Sequence, residues 1–203
     1  MIETVHRERV MVVGHLPTDN IVAVLYEQHA HIGDQFDVVA EADGVERPAA
    51  FDALRELIAS HEAAEDVVLH RVTEKLLPAG VTRARDDEEK SIVRELVDLE
   101  SSSVDGPEFV PRLRLFEQSF TMHAGHEETE DFPAVLAELS EQEQAELGWW
   151  MRRATPSAQT RPHPALAGTP AGEAGSAGSA GFRPFTTLYD EARARLAATR
   201  QDV

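Results

Sequence analysis

The 203-residue chain has no cysteine and carries 37 acidic against 19 basic residues, a formal net charge of −18 with histidine neutral. These facts exclude disulfides, thiolate zinc sites, iron–sulfur clusters and a cysteine nucleophile, and they argue against nucleic acid or an anionic membrane as partner, since both need a basic face. No apolar run approaches a bilayer span, and the charged start Met1-Ile2-Glu3-Thr4-Val5-His6-Arg7-Glu8-Arg9 does not read as a secretory signal, so a cytoplasmic protein is expected.

Few aromatics and abundant Leu, Ala, Val and Glu favour helix over sheet. After an N-terminal segment (1–17), a first helix is expected from Thr18 or Asp19, good N-cap types behind Pro17, to about Ala42, where Asp43-Gly44 breaks it. A second opens after Arg47-Pro48 and runs to about Leu77, before Pro78-Ala79-Gly80. The third covers about Val81 to Leu99 and stops at the Ser101-Ser102-Ser103 run. A fourth begins near Glu108 and reaches about Asp131, with Pro133 marking a kink or break before Ala134 to Leu139. A short helix over Glu141 to Arg152 completes a bundle spanning 18–153. Beyond it, the Ala, Gly, Pro and Ser of 154–181 predict a flexible linker. The last segment, 182–203, predicts an amphipathic helix with Phe185, Leu188, Tyr189 and Leu196 as its apolar side, free to dock on the bundle or bind a partner. Short connections between the four long helices make an all-α, up-down-up-down four-helix bundle the expected fold.

Each long helix brings a metal-ligand type of side chain to an apolar seam. The first seam reads Val22, Leu25, His29, Ile32, Phe36; the second Leu54, Ile58, His61, Glu65, Val68, Val72; the third Glu89, Ile92, Leu96, Leu99; the fourth Phe109, Leu113, Phe116, Phe120, His123, Glu127. In both His-x-x-x-Glu pairs the side chains leave one helix face one above the other and can close on a single ion. Burying such groups unpaired costs several kcal/mol, which a shared metal in the bundle centre would offset. Three imidazoles and three carboxylates oversupply one zinc, which usually takes four ligands. Two cations bridged by Glu65 and Glu127 balance the set better, and mixed nitrogen and oxygen donors suit iron or manganese, with zinc or copper not excluded by affinity order. The plain alternative is a pair of intrahelical hydrogen bonds on a solvated face.

The segments Glu27-Gln28-His29-Ala30-His31-Ile32, His61-Glu62-Ala63-Ala64-Glu65-Asp66-Val67-Val68-Leu69 and His123-Ala124-Gly125-His126-Glu127-Glu128-Thr129-Glu130-Asp131-Phe132-Pro133 resemble the hemerythrin family, in particular the bacterial HHE cation-binding domains, over roughly residues 18 to 140. The resemblance implies a four-helix bundle around two non-haem irons (Fe2+/Fe3+) with a bridging oxygen species, His29, His61 and His123 as nitrogen ligands, and Glu65 and Glu127 as bridging carboxylates. Oxygen-carrying members place His-x-x-x-His on the third helix, whereas this chain has no histidine between His70 and His123. Counting back from Ile92 puts Glu89 at the first of those positions, with Glu88 as the alternative; Asp86-Asp87-Glu88-Glu89 also reads as a solvated acidic run. An anionic donor there would favour the ferric state and disfavour reversible oxygen storage.

The resemblance leaves several small-molecule partners open: peroxide, dioxygen or nitric oxide. It also leaves open whether the chain turns peroxide over, as a catalase does, or only binds and reports iron or redox state. His126 is expected behind the ligands or on the surface, His31 and His70 off the seam, and Tyr26 in a packing role one turn before His29.

Overall fold

In a computed structural model, residues 14–154 and 185–201 are described. The expected 154–181 linker falls almost wholly outside them, as do the side chains of Phe185, Leu188 and Leu196. The described residues form helices and turns with no strand, and no helix among them is long and apolar enough to cross a membrane.

Helix α1 spans Ile21–Glu41. It starts later than expected because, of the consecutive cap types Thr18, Asp19 and Asn20, Asn20 takes the role: its side chain accepts from the Val22 N–H at 2.9 Å. Gly44, with φ +49°, makes the turn into α2, Glu46–Ala64. This helix opens before Pro48, which sits in its first turn where no intrahelical donor is needed. A five-residue π turn, Glu65–Leu69, leads directly into α3, His70–Leu76. Helix α4 is Ala79–Glu100. Helix α5, Phe109–His126, passes through a second π turn, Glu127–Asp131, into α6, Phe132–Glu138. Of the kink or break expected at Pro133, there is no break, since α6 runs through the proline. The wide turn already leaves the regular hydrogen-bond ladder just before the proline, so its missing N–H disrupts nothing further. Helix α7, Glu141–Ala154, and α8, Phe185–Gln201, follow.

Helices α1, α2–α3, α4 and α5–α6 form the antiparallel bundle, α7 packs on α1, and α8 lies along α2 and against α4. Gly148 makes the α7 approach possible, since a Cβ there would stand 1.9 Å from the Asp19 carbonyl oxygen. Asn20 also donates to Gln144 Oε1, tying the two helices together. On the other flank, Ala192 is fully covered, Tyr189 packs against the core, and Arg193 Nε lies 3.0 Å from an Asp66 carboxylate oxygen.

The apolar interior is divided. One cluster holds Ile32, Phe36, Leu54, Ile58, Leu96, Phe116 and Phe120 among others. A second holds Val22, Leu25, Tyr26, Val68, Leu69, Phe132, Val135 and Met151. Along α1, α2 and α5, the stretch between them carries histidine and glutamate. Arg55, 1% exposed, lies 2.6 Å from Asp52 and from Glu100 and so joins α2 to the end of α4 inside the core.

Candidate metal centre

Four of the six seam candidates converge: His29, His61, Glu65 and Glu127 each offer an atom within 4.8 Å of all the others. His123 belongs to an adjoining group with Glu65 and Glu62. These groups lie at the same height because the His-x-x-x-Glu pairs on α2 and α5 face each other across the bundle with His29 between them. Glu127 stands between imidazoles, its Oε2 3.3 Å from His29 Nε2 and its Oε1 3.5 Å from His123 Nε2. Glu65 similarly puts Oε2 3.4 Å from His61 Nε2 and Oε1 4.0 Å from His29 Nε2.

All of these groups are buried, and the Nε2 atoms of His29, His61 and His123 and both oxygens of Glu65 and Glu127 have no hydrogen-bond partner. A closed polar layer of this kind, left empty, would cost several kcal/mol. The opposite edge of each imidazole is engaged. His29 Nδ1 donates to Glu128 Oε1 at 2.9 Å and His61 Nδ1 donates to Gln28 Oε1 at 3.0 Å. His123 Nδ1 lies 3.4 Å from Glu88 Oε2. Acceptors on Nδ1 fix the tautomer and turn the Nε2 lone pair inward, the arrangement a metal-binding histidine requires. Donor chemistry, orphaned atoms and backing hydrogen bonds therefore all fit a cation.

Without a cation, these groups shift one another's titration. Burial and the neighbouring Glu127 push the Glu65 carboxyl well above the usual carboxylate range. Against its own burial, Glu127 is held down to about 2 by His123 and His29. Burial and His29 push His61 well below its ordinary value, leaving it neutral and free to ligate.

The third helix is arranged differently from either expectation. Glu88 lies on the outer side, accepting from Arg85 and from His126 Nδ1 at 2.8 Å while backing His123. Glu89 is outside the two converging groups and places Oε1 2.9 Å from His70 Nε2. Regular helical spacing sets His70 off the seam, yet the π turn inserts one residue between Glu65 and His70 and rotates the imidazole back toward the site. The second π turn does the same for Phe132, whose ring stacks 5.8 Å from that of His29.

Several residues escape seam reasoning. Glu62 is 2% exposed with neither carboxylate oxygen hydrogen-bonded, but it sits beside His61 on the helix flank and breaks the apolar spacing. Gln28, Glu128 and Glu88 back the histidines, and nothing in their spacing marks them. His126 is half exposed and reaches the site through Glu88, as expected of a backing or surface residue. Tyr26 packs edge-on against Phe132, the packing role expected of it.

A four-helix bundle with a buried, hydrogen-bond-oriented His/Glu layer defines a cation-binding helical domain. The family model for the hemerythrin HHE cation binding domain matches residues 20–135. The chain belongs to that family and is a metal-binding protein. A crystal structure of a hemerythrin HHE cation binding domain-containing protein from Mycobacterium kansasii superposes with a TM-score of 0.60. It is 24% identical over 66% of this chain and 83% of that one, a likeness of fold. No curated protein matches the chain.

Proposed function

We propose that the chain is a non-haem di-iron protein whose centre meets a small oxidant, with hydrogen peroxide the substrate that its donor set suits best. His29, His61 and His123 would supply nitrogen ligands, and Glu65 and Glu127 would bridge the two ions. The observation that carries this reading is the divided allegiance of Glu127, whose two oxygens face imidazoles on different helices, as a carboxylate bridging two cations must. Iron bound there would supply Lewis acidity and redox equivalents for two peroxides to become two waters and one dioxygen.

The chain's own residues hold the site dry and oriented. Phe120 and Phe132 wall the imidazoles, so charge in the layer is poorly screened. Glu128 and Gln28 keep two imidazoles in the ligating tautomer, and Glu88 stands at the Nδ1 edge of the third. With Glu65, Glu127 and the nearby Glu62 and Glu89 contributing anionic donors or field, the ferric state is favoured, which speaks against reversible oxygen storage. Purified protein loaded anaerobically with ferrous iron should contain about two irons per chain. It should release dioxygen steadily from peroxide, and His61→Ala should lose that activity. Equal activity in the variant would refute the reading.

A second reading is favoured by the docking of α8 beside the site: an iron- or redox-responsive module that does not turn over. It expects ferrous or ferric loading to change protease protection of 185–201. Identical digestion of apo and loaded protein would remove its basis.

A further inference from the structure

Resting on the dinuclear reading, we propose that the second cation position in this chain is completed from the second helix, by Glu62 and His70, with Glu89 as the third helix's only contribution. The acidic cavity under α8 is the route by which a divalent cation reaches it.

Glu62, Glu65 and His123 each offer an atom within 4.8 Å of the others, a group adjoining the one around His29 and His61. Glu65 belongs to both, as a bridging ligand would. Glu62 has no structural reason to be where it is. It is 2% exposed, neither oxygen is hydrogen-bonded, and it is among the residues lining a cavity of about 1250 Å³. His70 and Glu89 line the same cavity, with His70 Nε2 2.9 Å from Glu89 Oε1. Glu62 thus brings two orphaned oxygens beside His123, while His70 and Glu89 add an imidazole and a carboxylate that face each other in the same cavity. The first position instead has two imidazoles, His29 and His61, whose ring centres are 4.9 Å apart.

The π turn explains how one helix can supply so much. Glu62 precedes it by less than one turn, Glu65 opens it, and the extra residue brings His70 onto the same side. Seven carboxylates line the cavity against four Lys or Arg side chains, and Tyr189 and Arg193 of α8 form part of its wall. Such a lining concentrates cations at the mouth and repels anions. The two positions therefore differ in charge: the first is mainly imidazole, while the second adds Glu62 and Glu89 to the shared carboxylates.

Elemental analysis after ferrous loading and desalting tests this on the full chain, with circular dichroism confirming helix content. Wild type should hold about two irons, the double variant Glu62→Gln/His70→Asn about one, and the His31→Ala control about two. Glu62→Gln alone should raise the melting temperature of the metal-free protein, because it replaces a buried carboxyl group that has no hydrogen-bond partner. If the double variant keeps two irons, the assignment of Glu62 and His70 is wrong while the dinuclear reading stands. If wild type holds one or none, both fail. If Glu62→Gln lowers the metal-free melting temperature, Glu62 is a structural partner and the proposal is overturned.

Discussion

The backbone N–H of His70 bonds to the carbonyl of Glu65, five residues back instead of four. That one widened turn converts a histidine which helical spacing sends outward into a lining residue of the acidic cavity that also reaches Glu62. Its twin at Glu127–Asp131 brings Phe132 over His29 in the same way. Both wide turns begin on the carboxylate of a His-x-x-x-Glu pair, so each marks the level of the site along its helix.

Metal removal should be felt as lost stability. A cation held only by the folded chain contributes about 2.7 kcal/mol at a hundredfold excess over its dissociation constant. Chelation should therefore lower the melting temperature by several degrees. An unchanged midpoint would mean that the His/Glu layer binds no cation.

Removing a backing acceptor should weaken metal binding without unfolding the bundle. Gln28→Ala frees His61 Nδ1, and Glu128→Ala frees His29 Nδ1. Each should cost about 10- to 100-fold in metal affinity, as loss of such outer partners typically does. Competition with a chromogenic chelator reads this directly, and unchanged affinity in both would show that the tautomers are not set by these contacts.

Without metal, stability should fall as pH rises. Burial lifts Glu62 to about 7 and Asp131 to about 6, so between their ordinary values and these the folded chain binds more protons than the unfolded one. Burial works to lower His70 and His123, but Glu89 lifts the first to about 9, while Glu127 and Glu88 lift the second to about 10. What these imidazoles contribute below 6.5 is lost as pH rises through those values. Urea midpoints of the metal-free protein should decline from about pH 5 through about pH 9, and metal should reverse the lower part of that trend by competing with protons. A metal-free midpoint that rises over this range would contradict the assignment.

Arg55→Ala should destabilise the bundle by about 3 kcal/mol or more, because Glu100 is left as a covered carboxylate without its cation. Chemical denaturation would measure it. Arg55→Met should recover little, since it restores packing but not the ion pair.

Gly148→Ala should loosen α7 from α1 at a cost of about 1–3 kcal/mol, as the new methyl collides with the Asp19 carbonyl. Trp149 and Trp150 lie beside it and would report the change in fluorescence.

The bundle and five of its polar seam residues were legible because apolar residues recur at helical spacing on each long helix, making an interrupting His29 or Glu127 conspicuous. Ends were less so. Three successive cap types precede α1, and only the hydrogen bond to Val22 selects Asn20. Proline suggested a break at 133 that a preceding π turn makes unnecessary. The same widened turns hid His70, since a fixed period of 3.6 residues has no place for an inserted one. Glu62 was hidden by adjacency: next to a stronger candidate, off the stripe, its burial shows only when helices are packed. The offset repeats in the sequence, for Glu65 to His70 and Glu127 to Phe132 are both five residues.

The polar layer separates the two apolar clusters rather than lying beside a single one. Either side therefore has its own packing, and the layer between them supplies attraction only through whatever occupies it. In the metal-free chain the two ends should open independently, with amides of Val22 to Leu25 and Phe132 to Val135 exchanging with solvent deuterium at rates unlike those of Phe36, Leu54 and Leu96. A bound metal would couple them, so that a cation held by side chains in the middle decides whether the molecule unfolds as two units or as one.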